Sequence, residues 1–105
     1  MPRMTEPPEM PEEVTAVIDT IGNRARGALL HTLAQHGSLS AQDIAQRVGA
    51  AHSSVHRHLL ELEAQGLVHA DTASGQRHGR TVAWSVDVER VNQLVDVWRD
   101  YLTGS

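Results

Sequence analysis

Two clusters hold the side chains best suited to gripping a polyanion and reading the edges of its bases. They are His52, Ser53, Ser54, His56 and Arg57, then Arg77, His78 and Arg80. Arginine can form a bidentate pair with guanine in the major groove, and serine or histidine can contact bases or phosphate. The second cluster lies in a glycine-bearing stretch, Ser74-Gly75-Gln76-Arg77-His78-Gly79-Arg80. Cations on such a loop suit phosphate or the minor groove. The ordinary alternatives are a solvated helix face for the first cluster and a hairpin tip charged for solubility for the second. Ser54 stands between a helix-end hydrogen bond and a phosphate contact. His58 follows Val55 by three and precedes Leu62 by four, so it turns inward as a structural histidine. Arg24, Arg26 and Arg47 are weaker phosphate candidates.

Other chemistries find little support. No cysteine is present, which removes disulfides and thiolate metal sites. His52 and His56 have the i, i+4 spacing of two ligands on one helix, yet no third ligand accompanies them. The pair also lies where a duplex would dock, so no metal site or cofactor is assigned. The histidines would instead add positive charge as pH falls and strengthen DNA binding. Paired carboxylates, a nucleophile with its base, and a phosphate-cradling glycine loop are all missing at useful spacing, so no catalytic residue and no enzyme activity is expected.

The chain has 105 residues, the size of one domain. Aromatic residues are two Trp and one Tyr, leaving the core to Leu, Val, Ile and Ala. That composition gives little surface for stacking on single-stranded bases. Net charge is −4, unevenly spread. Arg3 against Glu6, Glu9, Glu12 and Glu13 leaves residues 1–13 at −3, and residues 87–105 carry −2. Residues 14–86 carry +1 through six arginines, and phosphate contact depends on this local footprint rather than on the total. No apolar run reaches the length of a membrane span and no signal peptide is visible, so the expected location is the cytoplasm, without a membrane partner.

The elements that must position the two clusters can be read in order. Residues 1–11, with four prolines, read as a disordered tail, and residues 12–103 as one domain. Val14, Val17, Ile18 and Ile21 trace one face of a first helix that ends at Gly22. Asn23 caps a second helix, which carries Leu29, Leu30 and Leu33 and closes at His36-Gly37. Ser40 with Asp43 forms a capping-box-like start for a third helix, with Leu39 and Ile44 placed as a hydrophobic staple. That helix closes at Gly49. A fourth helix buries Val55, Leu59 and Leu62 and stops at Gly66. Strands of about five residues then flank a tip from Ser74 to Gly79. A last helix, about Val88 to Leu102, aligns Val91, Leu94, Val95, Trp98 and Leu102. The expected fold is mainly α with a small β-hairpin, a winged helix-turn-helix in the order α1-α2-α3-α4-β-β-α5. The stripes on the first and last helices (Val14, Val17, Ile18, Ile21, Val91, Leu94, Val95, Trp98, Leu102) predict a dimer interface, unless both pack inside the monomer.

Several of these segments resemble the ArsR-type winged-helix repressors. Ile21-Gly22-Asn23-Arg24-Ala25-Arg26 with Leu29-Leu30 is similar to that family's opening, and Ser53-Ser54-Val55 leading to His58-Leu59 to its recognition-helix core. Gly66-Leu67-Val68 and Arg80-Thr81-Val82-Ala83-Trp84-Ser85-Val86-Asp87 are similar to its two wing strands. The resemblance spans about residues 14–102. It implies a homodimer paired through its first and last helices, a palindromic operator in double-stranded DNA, and release by a metal or other inducer. The family's cysteine-containing metal motif is missing here, and no histidine follows His78. Neither usual metal site carries over, so an inducer is left unassigned. Ala51 stands where a serine often starts the recognition helix. Two other readings stay open: a DNA-organising protein of plasmid-partition or phage type, and a winged-helix protein-interaction module that does not bind DNA.

Overall fold

The computed structural model describes residues 10–105, so all but the end of the expected tail, residues 1–9, lies outside the described residues. Pro11 precedes helix α1 (Glu12–Ile21), whose first turn carries Glu12 and Glu13, where negative charge favours a helix N-terminus. Helix α2 (Arg24–His36) starts under Asn23, whose side-chain oxygen accepts the Arg26 amide at 3.1 Å. Helix α3 (Ala41–Val48) starts under Ser40, whose hydroxyl accepts the Asp43 amide at 3.1 Å. Leu39 packs half-buried against the cluster that holds the fully buried Ile44, where a staple would place them.

Gly49 ends α3 at φ 71° and ψ 34°, a left-handed conformation that turns the chain into α4 (His52–Ala64). The N-cap of α4 is Ala51, which supplies no side-chain hydrogen bond. Strand β2 (Val68–Ala70), a short 3₁₀ turn at Ser74–Gln76 and strand β3 (Ala83–Val86) form the wing. Helix α5 (Val88–Leu102) follows, its first turn capped by Asp87, whose carboxylate accepts the Arg90 amide at 2.9 Å.

The wing differs from the expectation in two ways. Its strands are three and four residues long rather than about five, and Arg80, Thr81 and Val82 lie outside β3. Asp71 accounts for the early end: its amide donates to the Ala83 carbonyl at 2.9 Å, and its carboxylate accepts the Ala83 amide at 3.1 Å. The side chain thus takes a donor that a further ladder residue would have used. A third strand is also present. Leu39–Ser40 (β1) pairs antiparallel with β3, Leu39 opposite Trp84 and Ser40 opposite Ala83, giving the order β1-β3-β2. Two residues carry no readable periodicity, and their role as staple and cap conceals the pairing.

The core is aliphatic around a single buried aromatic, Trp84. Leu29 and Leu33 from α2, Ile44 from α3, Val55, Leu59 and Leu62 from α4, and Leu67 and Val68 at the wing entry surround it. Helices α1 and α5 pack on each other within the chain. Within the chain, Val14, Val17 and Leu94 of the expected interface are already buried, at 3%, 0% and 4% exposed. Ile21, Val91 and Trp98 are half-buried against the same core, and Ile18 and Val95 are half-buried as well. Leu102 is the expected interface residue left open, at 67% exposed, with Tyr101 beside it.

Candidate nucleic-acid interface

Helix α4 is oriented by its apolar side. With Val55, Leu59 and Leu62 buried, the 3.6-residue period turns His52, Ser53, His56 and Arg57 to solvent. The imidazoles of His52 and His56 stack nearly parallel, 6° apart with centroids separated by 6.3 Å. Leu60 joins this face at 42% exposure, an apolar residue the sequence reading passed over. Because Ala51 caps nothing, no side chain takes up the first-turn amides of α4, which leaves them for water or for an anionic partner.

The wing brings Arg77 and Arg80 of the second cluster to the same side. His52 and His56 share a cleft of about 260 Å³ with Gln42 at the start of α3 and Arg80 and Thr81 on the wing. Trp84 also lines it. Ser53, Arg57 and His78 are exposed outside this cleft. Ser54 points elsewhere, into a smaller hollow of about 110 Å³ between α2 and α4 that it shares with Ala25, Ala28 and His58.

Arg77 also borders the cleft, yet its guanidinium is committed within the protein. Its Nη1 and Nη2 donate to the two carboxylate oxygens of Glu63 at 3.1 and 2.5 Å, and its Nε donates to the Thr72 carbonyl at 2.9 Å. The same group lies 4.9 Å from the centroid of the Trp84 ring, and the side chain is 14% exposed. The bidentate bonds to Glu63 hold the guanidinium above the ordinary arginine pKa. A cation held this way is a strut between α4 and the wing rather than a loose hand for phosphate.

Arg26 is spent similarly. It pairs with Glu61, donates from Nη1 to the Asp19 carbonyl at 2.9 Å, and donates from Nε to His58 Nδ1 at 3.2 Å. His58 is therefore the structural histidine the spacing predicts, half-buried and accepting at Nδ1, so its neutral ring carries the proton on Nε2. Burial, followed by the charges of Arg26 and Arg57, pushes its pKa down. Both acids of α4 are thus answered by arginines from other elements, whereas Arg57 and Arg80 enter none of the ion pairs among the described residues. Neither partnership has a local signal in the sequence, because each joins residues far apart along the chain. Among the described residues no three His, Cys, Asp or Glu side chains converge as a metal site, and no helix is long and apolar enough to cross a membrane.

A short helix, a left-handed glycine turn, a second helix with its polar side open and a small sheet whose loop stands beside that helix define a winged helix-turn-helix. Residues 27–72, from early α2 to the wing, match the family model of the IclR helix-turn-helix domain. Solved structures of similar fold include the AntR antimony-specific transcriptional repressor, 22% identical over 97% of this chain and 88% of that one, with a TM-score of 0.65. NolR from Sinorhizobium fredii is 22% identical over 100% and 98%, with a TM-score of 0.67. An ArsR-like transcriptional regulator from Rhodococcus sp. RHA1 is 20% identical over 89% and 82%, with a TM-score of 0.68. The ArsR-type resemblance read from the sequence is therefore matched by a fold shared along nearly the whole chain. No curated protein sequence matches it.

Proposed function

We propose that this protein is a sequence-specific regulator of transcription that binds double-stranded DNA, acting as a homodimeric repressor on a palindromic operator. Helix α4 would lie in the major groove, with Arg57, His52, Ser53 and His56 toward base edges and phosphates. His78 and Arg80 would meet the neighbouring backbone or minor groove. The observation that carries the reading is the common side shared by the polar face of α4 and Arg80, with Arg57 and Arg80 outside the ion pairs that neutralise the acids of α4. The repressors among the similar structures support the same role. Ser54 lines the separate hollow between α2 and α4 and Arg77 is bonded to Glu63, so neither is placed among the direct contacts. In the dimer, Leu102, with the half-buried Ile18, Val95 and Trp98, would meet a second copy, which sets half-sites about 34 Å apart.

Selection from a random duplex library, followed by titration of the winning site across salt concentrations, tests the proposal. An enriched palindrome whose affinity falls steeply with salt is expected. A folded protein that enriches no duplex would overturn it and favour a protein partner on the α4 face, where Leu60 is exposed.

A further inference from the structure

Glu63 is an acid on the recognition helix, close to the surface assigned to DNA, where simple electrostatics counts it as a liability. Its carboxylate does something specific there. It receives both terminal nitrogens of Arg77, the residue that opens the tight turn Arg77-His78-Gly79-Arg80. That turn is closed by the Arg80 amide donating to the Arg77 carbonyl at 3.1 Å, with Gly79 at φ 72°. Arg80 then borders the same cleft as His52 and His56. A continuous chain of contacts therefore runs from α4 through Glu63 and Arg77 to the wing cation. Trp84 beneath the guanidinium and the Thr72 carbonyl beside it fix the strut from two further directions.

From this geometry we infer that Glu63 is a positioning residue for DNA binding: through Arg77 it holds the wing turn at the distance from α4 at which Arg80 can reach the backbone. The inference rests on the DNA-binding reading above. A preset side chain binds without first being ordered, and ordering costs affinity. Without the carboxylate the wing tip keeps its contacts to Trp84 and Thr72 but loses its only ion pair to α4 among the described residues.

The test is Glu63→Gln, alone and combined with Arg80→Ala, measured on the selected duplex at fixed salt. Charge alone predicts tighter binding, because a negative group is lost and Arg77 is freed to act as a further cation. Positioning predicts the opposite: Glu63→Gln weakens binding by about twofold or more, the low end of coupling within one network. In the Arg80→Ala background that loss disappears, because the side chain being positioned is gone. Unchanged or tighter binding by Glu63→Gln overturns the inference, and so does an equal loss in both backgrounds, which marks a general structural defect. A second readout needs no DNA. Exchange of the Arg80 amide should be faster in Glu63→Gln than in the wild type, while buried amides of α2 exchange at unchanged rates. Equal Arg80 exchange overturns the strut itself. If no duplex is selected but exchange does rise, the DNA-binding reading fails while the strut stands.

Discussion

Gly49 and Gly27 give the sharpest stability prediction, because the same substitution should act with opposite sign at the two positions. Gly49 sits at the elbow between α3 and α4 at φ 71°, and a Cβ added there would meet nothing within 4 Å. The cost of Gly49→Ala is therefore backbone strain alone, about 1–2 kcal/mol for a left-handed L-residue. Restricting the unfolded chain returns about 0.5–1 kcal/mol, so the net loss is about 1 kcal/mol. Gly27 lies inside α2, its amide bonded to the Asn23 carbonyl at 2.9 Å, and a Cβ there is equally unopposed. Alanine at that position should add about 0.5–1 kcal/mol. The two variants then differ by about 2 kcal/mol, roughly 8–16 °C in melting temperature for a domain of this size. Urea unfolding followed by circular dichroism, at one protomer concentration, measures both, with unchanged m-values as the sign that only stability moved. Coincident midpoints, or a more stable Gly49→Ala, would refute the assignment of the elbow.

Three further predictions concern the site and its supports. Arg57→Ala should cost about 1–3 kcal/mol on the selected duplex, the worth of a bidentate base contact, and leave the melting temperature unchanged because the side chain is exposed; wild-type affinity would remove Arg57 from the recognition surface. His58 has a pKa lowered by burial and by Arg26 and Arg57, so folding favours its neutral ring. The associated stability is full above the ordinary histidine value of about 6.5 and declines as pH falls below it; in His58→Asn, which keeps an acceptor for Arg26, the fall in melting temperature between about pH 7 and 5 should flatten. Asp87 has a pKa lowered by the hydrogen bond from His69 at 2.8 Å and by the Arg90 amide. Its contribution is present above the ordinary carboxylate value of about 4 and disappears as pH drops through the depressed one, so Asp87→Asn should make acid unfolding below about pH 4 shallower; an unaltered acid limb contradicts the His69–Asp87 link.

Local signals made much of the fold legible. Ser40, Asp43 and Gly49 mark both ends of α3 from its first turn and the residues that flank it, and Asn23 and Asp87 act as caps through their own side chains. The inward stripe Val55, Leu59 and Leu62 fixed the rotation of α4, and hence which of its polar residues face outward. What the sequence hid depends on pairs far apart in the chain. Arg77 reads as a solvent-facing cation until Glu63 and Trp84 are brought to it, and Arg26 reads as a phosphate contact until Glu61 arrives. The α1 and α5 stripes read as spare for the same reason. Periodicity reports that a face is apolar, but not that Val14, Val17 and Leu94 find their cover in the same chain.

Strand β1 carries a mechanical consequence. Ser40 is at once the residue that caps α3 and the residue opposite Ala83 in β3, so the helix-turn-helix and the wing meet in a single amino acid. With the Glu63–Arg77 strut as a second tie, both helices of the motif are joined directly to the wing. Opening the angle between helices and wing means breaking a ladder, a cap and an ion pair together.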